Sequence, residues 1–136
     1  MKLNRWANAH TNFMVDALRV LLGIFIFYKG VFFLEQTEYV YDLFKTISGQ
    51  GTYFVLVHYV ALAHLCGGFF MTLGLMTRFC ALVQVPILVG AVLINFIGAM
   101  DVSNLLQASA GLLACTFFTF YGSGRHSVDY SLKLHI

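Results

Sequence analysis

Charged residues are scarce in this sequence: Asp, Glu, Lys and Arg together make up 10% of its 136 residues, whereas a water-soluble domain carries about a quarter. The scarcity excludes an intrinsically disordered chain, a basic tract that binds nucleic acid, and an ordinary water-soluble core. Hydrophobic residues make up 60% of the chain. The composition therefore predicts a protein whose solvent is lipid.

Cysteine is also rare, and its three positions form no CxxC pair. Cys66, Cys80 and Cys115 are too scattered for a disulfide framework, and an apolar setting makes a thiol behave as a small hydrophobic group. This spacing disfavours a dithiol redox role. The sequence also lacks a phosphate-binding glycine loop, GxSxG, HExxH and a carboxylate pair within an apolar run. The isolated chain is therefore not expected to be an enzyme.

The abundant feature is apolar runs long enough to cross a bilayer, which takes roughly 20 helical residues. We predict spanning helices at about 13–34, 53–75, 79–97 and 105–121. They define an all-α membrane protein, an antiparallel four-transmembrane-helix bundle in which residues 1–136 form a single domain. The first run carries Arg19 and Lys29 and is too long for a signal peptide.

The basic residues outside the spans fall on one side of the predicted membrane. Lys2 and Arg5 precede the first span, Arg78 lies between the second and third, and Arg125 and Lys133 follow the fourth. Because basic residues favour the cytoplasmic side, we expect both termini and the Arg78 turn to be cytoplasmic.

The loop between the first two spans is longer than a turn. Apolar residues recur in it at helical spacing, at Tyr39, Val40, Leu43, Phe44 and Ile47. We predict a short amphipathic helix in this extracytoplasmic loop, lying on the membrane surface. A loosely ordered loop that caps the bundle is the alternative.

Ionisable and amide side chains inside the spans are the candidates for function, because they are costly in lipid. Asp16 and Arg19 are three residues apart and can pair on one helix face, either to fix the bundle or to serve a ligand or proton. Pro86 removes the backbone hydrogen bond to Leu82 and should kink the third span. Gln84 lies beside this break and is placed to satisfy the freed carbonyl.

Each span carries one polar residue near its outer end: Lys29, His58, Asn95 and Gln107. Counting from the span ends puts them at similar depth, which predicts one ligand-binding pocket open to the outer side. A quinone headgroup or an aromatic acid would suit it. Interhelical hydrogen bonds among these residues are the alternative.

His64 lies near the bilayer centre, on a face of small residues that includes Ala61 and Gly67. We expect it to form a hydrogen bond across a helix interface. Haem is disfavoured, because the other three spans contain no second histidine ligand. His58 points about 120° away from His64 around the helix, so the two do not form a metal-binding pair.

Charged residues at the predicted cytoplasmic boundary form a further candidate cluster. Arg78 in the second loop, with Arg125 and Asp129 after the fourth span, can form a polar clasp that closes this end of the bundle. Boundary charges most often anchor a protein to the membrane, so we interpret the clasp as structural.

Two stretches resemble the DoxX family of small four-helix membrane proteins. One is Gly67–Gly68 followed by Leu73-Gly74-Leu75-Met76-Thr77-Arg78 and Ala81-Leu82. The other is Tyr121-Gly122-Ser123-Gly124-Arg125-His126-Ser127-Val128-Asp129. Arg19, Gly23 and Lys29 also match the family's usual first span.

The resemblance implies a multi-pass protein of the bacterial or archaeal cytoplasmic (inner) membrane. The family takes its name from a small subunit of a quinone-linked sulfur-oxidising complex, and relatives serve varied roles. We therefore expect a non-catalytic accessory subunit of a membrane redox or envelope complex, which binds a quinone or another amphipathic small molecule. The expected partners are the bilayer and other membrane subunits or a second copy, and not nucleic acid.

Two other functions stay open at this point. One is a scaffold or assembly factor that binds no ligand. The other is a small transporter, which is disfavoured because a lone four-span unit lacks an evident pair of broken repeats.

Overall fold

The computed structural model describes residues 13–36, 38, 52–97 and 101–122. Their backbone forms four α-helices: α1 (Phe13–Glu35), α2 (Thr52–Leu73), α3 (Thr77–Ile97) and α4 (Val102–Tyr121). Each contains a stretch long and apolar enough to cross a membrane. The protein is therefore an all-helical, multi-pass membrane protein with four candidate spans.

Some of the predicted features lie outside the described residues. They are the amphipathic helix of the first loop, the basic residues Lys2, Arg5 and Lys133, and the clasp residues Arg125 and Asp129. The assignment of the whole chain to a single domain stays a prediction.

The helices associate as two closely packed pairs, α1 with α2 and α3 with α4. Contacts between α2 and α3 join the pairs, whereas α1 and α4 touch at few positions. The paired helices α1 and α2 run antiparallel, because Gly23 lies against Thr72 while Gly30 lies against Leu65.

Glycine brings α1 and α2 to backbone contact. A methyl group at Gly23 would lie 2.7 Å from the Thr72 backbone nitrogen, and one at Gly68 would lie 2.7 Å from the Gly23 carbonyl oxygen. Both distances are shorter than van der Waals contact. Small residues at a helix interface permit this close approach, which favours helix association in lipid.

A short turn reverses the chain between α2 and α3. The Leu75 N–H donates to Phe70 O at 2.8 Å and the Gly74 N–H donates to Met71 O at 3.1 Å, the two bonds of a Schellman helix end. Gly74 has a φ of 72°, a left-handed conformation that glycine adopts without steric penalty. The α3 helix begins at Thr77, three residues later, with that side chain fully buried.

Both ends of α4 are capped. Asp101 accepts hydrogen bonds from the backbone nitrogens of Ser103 and Asn104 at 2.9 and 3.4 Å, as an N-cap residue does. At the other end, Arg78 Nη2 lies 3.3 Å from Phe120 O and 3.4 Å from Tyr121 O and donates to both. A cation at a helix C-terminus also interacts favourably with the helix dipole. Arg78 therefore ties the α2–α3 turn to the end of α4.

The buried apolar core lies mainly in the half of the bundle nearer this turn. Its members are Leu22, Ile26, Met71, Cys80, Ala81, Leu88, Cys115 and Phe118. We call this half, from the α2–α3 turn to the level of Gln84, the Arg78 end. The opposite half, where α1 ends and α2 begins, is the Lys29 end.

Candidate functional site

The Lys29 end contains a cavity of about 350 Å³ between the two helix pairs. All four helices line it, and most of the lining is apolar. The polar lining residues are Lys29, Tyr59, His64, Asn95, Asn104 and Gln107. Small-molecule sites have volumes of about 300–1,000 Å³ and a similar balance of apolar walls and few polar groups. The cavity thus has the size and lining of a ligand site.

Small residues on α3 and α4 leave the space for the cavity. Gly90, Ala91 and Ala108 line it, and a methyl group at Gly90 would meet nothing within 4 Å. Pro86, which lacks a backbone N–H, also lines the cavity. Gly90 therefore differs from Gly23 and Gly68, which lie against neighbouring backbone.

Lys29 contributes a positive charge to the cavity. Its Nζ lies 5.5 Å from the ring centroid of Phe32 and 6.0 Å from that of Phe25. Aromatic faces attract a cation at such distances, and the attraction is stronger where water is excluded. Within the described part of the chain, the ammonium forms no ion pair with Glu35. Lys29 is half-buried, so its ammonium is available to a molecule in the cavity.

His64 lines the cavity and is almost fully buried. The side chain is 4% exposed, and its Nδ1 lies 3.0 Å from Val60 O. A carbonyl oxygen only accepts, so Nδ1 carries the proton in this bond. The Phe33 ring packs on the imidazole at 5.5 Å between centroids. The hydrogen bond is within α2 and not across an interface as expected, because the carbonyl one turn back is within reach.

Asn95 and Gln107 also form hydrogen bonds within their own helices. Asn95 Nδ2 donates to Ala91 O at 2.9 Å, and Gln107 Nε2 donates to Ser103 Oγ at 3.0 Å. Neither side-chain oxygen accepts a hydrogen bond from another described residue. The cavity lining includes three of the four residues predicted to form the pocket: Lys29, Asn95 and Gln107.

His58 does not join them. Its side chain is exposed on α2, whereas His64 lines the cavity at the level of Lys29. The reason is the helix face, because Leu56, Tyr59 and Val60, which flank His58 in the sequence, line the cavity whereas the exposed His58 side chain does not. The register of α1 against α2 places His64 beside Gly30, where a methyl group would lie 3.1 Å from His64 Cβ. His58 is six residues from His64, which is roughly 9 Å along a helix, and so lies near the level where α1 ends. Ligand binding by any of these residues stays a prediction.

Arg19 and Gln84, at the Arg78 end, form hydrogen bonds between helices. Asp16 and Arg19 are both buried, at 6% and 2% exposed, and Arg19 Nη1 donates to Met71 O on α2 at 3.2 Å. The pairing of Asp16 with Arg19 stays a prediction. Gln84 Nε2 donates to Ala63 O on α2 at 2.7 Å, and not to the Leu82 carbonyl that the sequence suggested.

The two adjacent glycines of α2 contact different neighbours. Gly68 lies against the α1 backbone, and Gly67 lies against the Gln84 side chain, where a methyl group would overlap Nε2. The missing side chain at Gly67 lets Gln84 reach Ala63 O. Among the described residues, no group of three or more His, Cys, Asp or Glu side chains could hold a metal ion.

Sequence reasoning missed the open space at Gly90 and the part of His64 in the cavity wall. The available signal was the presence of small residues, Gly90 with Ala91 on α3 and Ala108 on α4, at one level of the bundle. Small residues more often mark close helix contacts, so their occurrence alone predicts packing. The register of the helices is needed to recognise that they border a space.

The fold and the polar lining define a multi-pass membrane protein with a mainly apolar cavity. A comparison with protein families matches residues 14–97 to DoxX. The match covers more than half of the chain, including α1, α2, the Arg78 turn and α3, so the protein belongs to the DoxX family. This confirms the family that the sequence motifs suggested. Comparisons with curated proteins and with solved structures find no match.

Proposed function

We propose that this DoxX family protein is a non-catalytic accessory subunit of a membrane redox or envelope complex, and that its cavity holds an amphipathic small molecule such as a quinone. The observation that carries the proposal is the cavity of about 350 Å³ at the Lys29 end. Its mainly apolar walls suit an aromatic headgroup, and its few polar atoms suit oxygen substituents on that ring.

The lining residues supply binding groups for such a molecule. The Lys29 ammonium can donate a hydrogen bond to a carbonyl oxygen. The rings of Phe25, Phe33 and Tyr59 line the cavity and can pack on a ligand ring. Because α1 and α4 have few contacts, the cavity has its weakest wall between them, where a ligand with an apolar tail would enter from the bilayer.

An accessory role fits the chemistry of the lining. Quinone reduction or oxidation needs a source or a sink of electrons, and no thiol of the described residues lines the cavity. A partner subunit would therefore carry the electrons, while this chain binds the quinone. A scaffold that holds the same partner without any ligand is the competing function.

The test is binding of decylubiquinone to the purified full-length protein in mild detergent. Binding at a concentration 100-fold above Kd stabilises a protein by about 2.7 kcal/mol, so we expect a clear rise in Tm. Gly90→Leu should fill the cavity and abolish the rise. Ala110→Leu adds similar bulk at an exposed position of α4 and should retain it.

Retention of the Tm rise in Gly90→Leu would show that the quinone binds elsewhere and would contradict the proposal. Capture of proteins with the tagged full-length chain, followed by mass spectrometry, separates the two functions. A partner that binds Gly90→Leu as well as wild type, with no small molecule extracted from either, would establish the scaffold.

We propose further that both termini are cytoplasmic, so that the Arg78 end faces inward and the cavity lies in the outer leaflet. The support is the one-sided distribution of basic residues, with Arg78 in the α2–α3 turn. In a variant without native cysteines, cysteines introduced at positions 3 and 134 should react only after permeabilisation, and one at position 50 should react in intact cells. The reverse pattern would contradict this orientation.

A further inference from the structure

His64, which lines the cavity, has one ring nitrogen that can only accept a hydrogen bond. Its Nδ1–H donates to Val60 O at 3.0 Å, so the only lone pair left on the neutral ring is that of Nε2. The side chain is 4% exposed, and Nε2 makes no hydrogen bond with any described residue. Because His64 lines the cavity, a donor in the cavity, either water or a ligand, can satisfy this acceptor.

Burial in an apolar wall favours this neutral state of His64, and the charge of Lys29 adds to the effect. Both residues line the same mainly apolar cavity, where a second positive charge would be poorly solvated and repelled by the ammonium. Among the described residues no carboxylate lines the cavity, and Asp101, which acts electrostatically on Lys29, lies outside the lining. Lys29 is therefore the fixed donor of the site and His64 the fixed acceptor. The amides of Asn95 and Gln107 can each donate or accept, so they do not determine whether a ligand must be a donor or an acceptor.

We infer that the cavity selects aromatic molecules that carry a hydroxyl group, phenols or hydroquinones, over the corresponding quinones and ethers. This inference rests on the proposed function, because it names the chemical form that the same cavity prefers. A ligand hydroxyl donates to His64 Nε2, and a ligand oxygen accepts from Lys29.

A quinone or an ether has no donor to offer. Its carbonyl or ether oxygen can accept from Lys29, but the ligand displaces water and leaves His64 Nε2 desolvated and unbonded. A buried polar group left unsatisfied in this way weakens binding by roughly tenfold or more. The preference thus follows from an acceptor in the protein that one ligand form satisfies and the other does not.

The test compares para-nonylphenol with para-nonylanisole, which has a methyl ether in place of the hydroxyl. Equilibrium dialysis against the full-length protein in detergent gives the Kd of each, and the same measurement with Gly90→Leu corrects for partitioning into detergent. We expect wild type to bind the phenol roughly tenfold or more tightly. Decylubiquinol and decylubiquinone, compared without oxygen, should show the same order.

His64→Phe tests the residue. The phenyl ring can retain the contact with Phe33 while the acceptor is removed, so both probes should still bind and their Kd ratio should fall towards one. If this variant does not fold, the wild-type ratio alone decides. Equal binding of the phenol and the ether by wild type overturns the inference and leaves the cavity as a binding site. No binding of either probe, with Gly90→Leu indistinguishable from wild type, overturns the proposed function as well.

Discussion

The two ends of the bundle differ in how their polar side chains form hydrogen bonds. At the Arg78 end, Arg19, Gln84 and Arg78 donate to backbone carbonyls of other helices. At the Lys29 end, His64, Asn95 and Gln107 form their hydrogen bonds within their own helices. A side chain bonded to a second helix joins two elements, whereas one bonded to its own helix keeps its remaining polar atoms for the cavity.

Gly68 and Gly90 differ in the same manner, whereas Gly30, at the level of Lys29, packs closely against α2. A methyl group at Gly68 would overlap the α1 backbone, while one at Gly90 would meet no atom within 4 Å. Substitutions at the Arg78 end should therefore change stability, and substitutions at the Lys29 end should change binding. Three experiments test this difference.

The largest effect is expected from the buried charges of α1. Removing one partner of a buried ion pair costs about 3–5 kcal/mol, because the other charge is left in an apolar setting. If Asp16 and Arg19 pair, Asp16→Ala and Arg19→Ala should each lower the Tm in detergent more than the double variant does. Additive losses would show that the two side chains do not meet. Lys29→Met is the matched control at the other end, where the smaller loss of a cation–π contact is expected.

Gly68→Ala should lower the free energy of unfolding by about 1–3 kcal/mol, as overpacking of a close interface does. Gly90→Ala introduces the same methyl group into open space and should leave stability unchanged or raise it slightly, because alanine favours the helix. Thermal unfolding of the two variants, followed by loss of monodisperse protein on gel filtration, measures the difference. Equal losses would mean that the two glycines do not differ in packing.

The smallest effect should come from the amides. Gln84→Leu removes the hydrogen bond to Ala63 O, and such bonds between membrane helices contribute about 0.6 kcal/mol on average. The loss is limited further because Gln84 Oε1 is buried and accepts no hydrogen bond among the described residues. Asn95→Leu removes a bond within one helix and should change the Tm less. A larger loss of Tm for Asn95→Leu than for Gln84→Leu would contradict the difference proposed between the Arg78 end and the Lys29 end.

The helices and the family were predictable from the sequence because both are local properties. A run of apolar residues specifies a span by its length, and the junction from Gly67 to Arg78 carries the family motif in consecutive positions. The depth of a residue relative to another helix is not a local property, because it depends on how the two helices pack. Counting residues from the span ends predicted that Lys29 and His58 lie at the same depth.

The observed register is set by side-chain contacts and not by span ends. Gly23 and Gly30 lie against Thr72 and Leu65, which brings His64 to the level of Lys29. The cavity could not be predicted either, since a small residue such as Gly90 marks a close contact in one register and an open space in another.

The turn of three residues between Leu73 and Thr77 has a consequence for how the protein enters the membrane. A helix that carried Gln84 into the bilayer alone would bring an amide into lipid without a partner, which is unfavourable. With so short a turn, α2 and α3 can enter together as a helical hairpin, and the Ala63 carbonyl then accompanies the Gln84 amide from the start. Gly67 and Gly74, which permit that hydrogen bond and that turn, thereby contribute to insertion as well as to the finished fold.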